Sequence, residues 1–188
     1  MGAEESWVFD SMNGTFEARL RRMTVQTKTS KGDGREITVS NMVAVVEAKF
    51  SYEALDRLYY PSFIAIEREV KGRLSHVIFE VVSINPTHYQ QLGMDVSMPT
   101  VLRKEYLDTI NESWGKSQET WIDLWAIPTW YITKVQDGEV NFERTRLAPL
   151  AGARAFLLSK RAVERFLCFE KGERIGTMIG FDLPLRST

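Results

Sequence analysis

Two histidines, one cysteine and one Gly-Lys-Ser triplet are the groups in this 188-residue chain whose types invite chemistry. His76 and His88 stand twelve residues apart, and neither has a carboxylate or second histidine at metal-ligand spacing, so no zinc or iron centre is expected. His88 follows Asn85-Pro86-Thr87 and could serve as a general base from a loop. The favoured reading gives Thr87 and His88 a structural task, tying down the loop that leads into a helix. Gly115-Lys116-Ser117 matches the tail of a phosphate loop, whose lysine reaches phosphates while the hydroxyl holds magnesium. The full pattern needs glycine where Ile110 stands, and the triplet closes a helix instead of opening one. Cys168 is the sole cysteine, which excludes an internal disulfide, and its place in Phe166-Leu167-Cys168-Phe169 reads as a buried structural thiol. Paired carboxylates at acid–base spacing, a nucleophile elbow and a Cys–His pairing are missing. The sequence therefore predicts no catalytic residue, no cofactor and no metal in this chain.

Aromatic and basic residues offer a different chemistry. Trp121, Asp123 and Trp125 share a face under strict alternation, with Trp130 and Tyr131 further along the same segment. Such a ladder can stack unpaired bases, with Arg161 and Arg165, four apart on a short helix, supplying phosphate contacts. That is the alternative functional reading: a stand-alone barrel binding single-stranded nucleic acid through Trp121, Trp125, Tyr131, Arg161 and Arg165. The competing reading places these rings in the core, and it is preferred because no basic residue lies between Trp121 and Tyr131. Arg19, Arg21, Arg22, Arg144, Arg146 and Arg154 read equally well as a solvated face.

The elements that would position these groups follow from patterning. Apolar residues make up 44% and charged residues 26%, which suits a folded globular chain with a real core. The net charge of −1 exerts no general pull on nucleic acid or anionic membrane, although residues 141–188 hold nine Lys/Arg against five Asp/Glu. No signal peptide and no membrane-length apolar stretch is seen, so a cytoplasmic protein without a membrane partner is expected. Alternation from Phe16, the Ser30–Gly34 turn and the Val/Ile-rich Arg35–Phe50 run predict a long hairpin. A second hairpin turns at Lys71-Gly72 and is expected to stop at Asn85-Pro86, because proline cannot donate to a ladder. A third turns at Asp137-Gly138. Between them, Pro99–Trp114 reads as a helix, with Ser97 as its cap and Gly115 as its terminator. A strand over Ala153–Leu158, a short helix after Ser159 and a closing strand Arg174–Phe181 complete the pattern.

The fold class expected is mainly β with α insertions: a small antiparallel, closed or nearly closed β-barrel. Residues 1–15 read as a flexible arm, 16–182 as the barrel with a helical insertion at 98–114, and 183–188 as a lead-in to a further domain.

These residues resemble a known family. Tyr60-Pro61-Ser62-Phe63-Ile64-Ala65-Ile66-Glu67, Phe79-Glu80-Val81-Val82, Pro86-Thr87-His88-Tyr89 and Met98-Pro99…Leu102-Arg103-Lys104-Glu105 are similar to the N-terminal part of archaeal HerA-like ATPases. Ala148-Pro149-Leu150-Ala151-Gly152-Ala153 and Ile175-Gly176-Thr177-Met178-Ile179-Gly180 extend the resemblance over most of residues 16–185. It implies a HAS barrel set ahead of a hexameric DNA-translocating motor, helping the ring assemble, holding a NurA-type nuclease and meeting DNA only indirectly. The contact surface so implied is the Arg103/Lys104 face of the helix with the loop at Pro86, Thr87 and His88. This chain lacks Walker A, Walker B and arginine-finger motifs, so ATP hydrolysis is not carried over to it.

Overall fold

The structure, a computed structural model, describes residues 8–10, 16–32, 35–58, 61–70, 72–94, 98–116, 119–136 and 139–170. The closing strand expected at 174–181, the lead-in at 183–188 and the Ser97 cap lie outside the described residues. Seven strands form one antiparallel sheet: β1 (Ala18–Gly32), β2 (Arg35–Lys49), β3 (Phe63–Val70), β4 (Arg73–His88), β5 (Thr120–Gln136), β6 (Glu139–Arg144) and β7 (Arg154–Leu157). Their order is β2-β1-β7-β3-β4-β5-β6, and a further β2–β5 pairing joins Ala44–Lys49 to Trp121–Ala126. That pairing closes β2-β1-β7-β3-β4-β5 into a ring, so the barrel-like, mainly β architecture expected from three hairpins is present.

The ring is uneven because its hairpins differ in length. β7 pairs with β1 only at Ala18 and Arg19, and β5 meets β2 no further than Ala44, whereas the β1–β2 ladder runs on to Gly32↔Arg35. From Val25↔Met42 onward the ladder continues as a two-stranded ribbon with no further strand partner among the described residues, ~25 Å long at a strand's usual rise. β5 outlasts its pairing with β2 at this same end, where Tyr131–Gln136 pairs with β6.

Alternation sorts the side chains into two cores. Leu20, Ala44, Val46, Ile64, Val77, Phe79, Ile122 and Leu124 point into the ring and are buried there. Among the described residues three α-helices accompany the sheet, α1 (Tyr52–Arg57), α2 (Thr100–Ser113) and α3 (residues 160–170), and on the outer face α3 lays Ala162 and Phe166 against Phe63, Tyr131 and Phe142. Ser159 starts this helix, accepting from the Ala162 N–H at its Oγ (3.1 Å). Val8 and Phe9 belong to the same outer core, and Phe9 bridges to Leu158, so this part of the expected flexible arm is docked.

Two further expectations give way, and β5 adds an irregularity of its own. β4 continues through Pro86 to His88, because beyond Val81 it has a neighbour only in β5, and a strand with one open edge can leave an N–H position empty. Cys168 is exposed: on α3 the buried positions are Ala162 and Phe166, one turn apart, and Cys168 falls on the far side. The β5 ladder is broken at Pro128-Thr129-Trp130, where Phe79 pairs with Pro128 and Ile78 with Tyr131.

Candidate functional site: a helix carried on a buried histidine

Between β4 and β5 the chain leaves the ring. A 3-10 turn (Tyr89–Gly93) is followed by α2 (Thr100–Ser113), which Gly115 terminates at φ +73°. A Cβ added at Gly115 would sit 3.2 Å from Tyr52 Cε2, which the exposed Tyr52 ring can relieve by a small shift, so the backbone angle is what calls for glycine.

His88 stands at the root of this excursion and is only 1% exposed. Its Nδ1 accepts the Gln90 backbone N–H (3.2 Å), which places the ring proton on Nε2. Nε2–H then donates to Ser113 Oγ (2.8 Å), and the Ser113 hydroxyl donates to the Ile110 carbonyl (2.9 Å). The His88 backbone N–H donates in turn to Gln91 Oε1 (3.1 Å), completing a capping box on the 3-10 turn. Trp114 packs edge-on to His88 and at 5.0 Å from Phe50, wedging the helix end onto the ring. The histidine is a clamp joining the start of the excursion to its end.

Beyond that clamp the helix is left uncovered. Leu102, Tyr106, Leu107 and Ile110 fall on one stripe at helical spacing, yet among them only Ile110 is buried. Leu102 is 46% exposed and Tyr106 43%, and on the adjoining 3-10 turn Tyr89 and Leu92 are exposed too, Leu92 at 69%. An apolar stripe half covered and half open is the ordinary look of a contact surface.

The residues expected to bind a partner are placed unequally. Pro86 and Lys104 are exposed, and Thr87 is half-buried with its hydroxyl donating to the Asn85 carbonyl (3.2 Å). Arg103 donates to the Met98 carbonyl (3.2 Å) and braces the start of α2. His88 is buried and its ring atoms are engaged, so it offers nothing to a partner directly. The apolar stripe on α2 is, apart from Ile110, an open surface.

The alternative nucleic-acid constellation is not assembled. Tyr131 is buried against Phe166 and Phe169 in the outer core. Arg161 and Arg165 lie on α3, exposed but each already interacting within the chain. Trp121 and Trp125 do share the outward face of β5, half-buried, as alternation predicts. The exposed tryptophan is Trp130, held at φ +65° in the β5 bulge with the Thr145 N–H donating to its carbonyl (2.8 Å). A bulky residue rarely adopts that backbone region, and nothing in the pattern of β5 signals it.

Among the described residues no group of three or more His, Cys, Asp or Glu is arranged to hold a metal, and no helix is long and apolar enough to cross a membrane. The chain matches no protein-family model, no curated protein and no solved structure.

Proposed function

We propose that this chain is a non-catalytic interaction module, the N-terminal barrel of a HerA-like hexameric DNA-translocating ATPase. In this reading it helps the ring assemble and docks a NurA-type nuclease for DNA end processing. The observation that carries the reading is the α2 stripe: Leu102, Tyr106 and Leu107 are exposed beyond a root that His88, Ser113 and Trp114 hold firmly. Rigid attachment with an uncovered apolar face suits docking, since little conformational freedom is lost on binding. The β1–β2 ribbon supports the assembly half of the reading. Beyond the ring, neither of its edges is paired among the described residues, and an edge of that kind can add to a neighbouring subunit.

Size-exclusion chromatography with light scattering tests the proposal, using the chain alone and mixed with a NurA-type nuclease at micromolar concentration. A co-eluting complex is expected. A strictly monomeric chain that ignores the nuclease would overturn it.

A further inference from the structure

We propose that the outer face of the four neighbouring strands β7-β1-β2-β5 is a second binding surface, and that its ligand is single-stranded nucleic acid. Along β1 and the residue before it, Glu17, Arg19 and Arg21 face outward while Ala18 and Leu20 are buried. The same alternation turns Arg154 of β7 and Lys49 of β2 outward. Together with Lys116, from the turn after α2, these residues surround an open concavity of about 970 Å³. Five cations line it together with Glu17 and Glu47, and Asp123 and Glu67 reach two of the cations from beyond the lining.

Three of the cations are already committed. Arg19 donates to the Gly152 carbonyl (3.1 Å), Arg21 lies 3.3 Å from Asp123 and 3.6 Å from Glu47, and Arg154 lies 3.2 Å from Glu67. Lys49 and Lys116 are exposed and make no ion pair among the described residues, so their ammonium groups stay open to an anion.

Trp121 on β5 lines the concavity half-buried; Phe156 on β7 lines it too, but its ring is packed against Phe9 (5.0 Å) and His76 (5.7 Å). Lys49 is the register partner of Trp121, which sets an uncommitted ammonium beside an indole. The indole N–H is buried with no acceptor among the described residues. An indole for an unpaired base beside ammonium groups for phosphates, on a strand-built surface, is a combination that holds single strands in other barrels. An acidic polypeptide would use the charge and leave the indole idle. The surface is separate from the Leu102–Tyr106 stripe, so it stands whether or not that stripe docks a nuclease.

Fluorescence anisotropy of a labelled oligothymidylate of about twelve nucleotides, titrated with the full chain at low salt, is the test. Binding is expected, weakened about tenfold by Trp121→Ala and largely kept by Trp121→Phe. The double variant Lys49→Gln/Lys116→Gln should lower the slope of log affinity against log salt by about two. Arg161→Gln/Arg165→Gln, on α3, should change nothing. Circular dichroism of each variant confirms the fold. Absence of binding at low salt overturns the proposal. So does equal competition by polyglutamate with Trp121→Ala indistinguishable from wild type, because the surface would then read charge alone.

Discussion

Nε2 of His88 lies 2.8 Å from Oγ of Ser113, and this contact joins the last residue of β4 to the last residue of α2. The pair closes the excursion from the ring as a clasp closes a loop. All three atoms in the relay, His88 Nε2, Ser113 Oγ and the Ile110 carbonyl oxygen, have a partner, so burying the imidazole leaves no polar atom of this chain of bonds unmet.

Ser113→Ala removes the acceptor and strands a buried N–H. The expected loss is about 1–3 kcal/mol, lowering Tm by roughly 2–4 °C for each kcal/mol in a chain of this size. Amide hydrogen exchange localises the effect: α2 should exchange faster while the ring strands hold their rates. Unchanged exchange in α2 would mean that the clasp does not hold the helix.

Trp130 at φ +65° invites a comparison of two truncations. Trp130→Ala and Trp130→Gly delete the same ring contacts, but only alanine keeps a Cβ in the left-handed region. The glycine variant should be the more stable by about 1–2 kcal/mol. Thermal unfolding of the two variants decides it, and equal stability would show that the bulge relaxes once the indole is gone.

Phe166 closes the outer core, with its ring 5.6 Å from Phe63, 5.5 Å from Tyr131 and 5.3 Å from Phe142. Phe166→Ala should cost about 3–5 kcal/mol in urea unfolding, as large-to-small changes in a packed core do. Its neighbour Leu167 is exposed, and Leu167→Ala should stay within about 0.5 kcal/mol of wild type. Similar losses at both positions would refute this orientation of α3.

Exposure of Cys168 has a simple chemical consequence. A thiol reagent should titrate it fully in the native chain, at a rate that denaturant barely raises. A thiol that reacts only after unfolding would return it to the buried position expected from its apolar neighbours.

The parts of this fold that were legible in the sequence are local. Gly72, at φ +74°, turns the β3–β4 hairpin, the β5–β6 pairing spans the position where Asp137-Gly138 predicts a turn, and Gly115 at φ +73° marks the end of α2. Closure of the ring was legible only as a need to cover strand edges. The pairings that achieve it, Ala18↔Ala155 and Val46↔Leu124, join residues far apart in the chain and leave no short-range signature. Pro86 misled as a strand end because its effect depends on whether the strand has one neighbour or two, a tertiary matter. The candidate site was half legible. His88 reads correctly as a tie for the excursion, whereas the Thr87 hydroxyl bonds back to Asn85 within β4, and the periodicity of Leu102, Tyr106 and Ile110 reports an apolar face without reporting what covers it.

The claim that matters most is that α2 is a docking arm, and hydrogen exchange of the chain with and without a NurA-type nuclease tests it most directly. The account expects amides of the 3-10 turn and of α2 from Thr100 to Leu107 to slow on complex formation, and Leu102→Glu/Tyr106→Glu to abolish both the complex and the slowing. A complex that forms while these amides exchange at their free rates would contradict it.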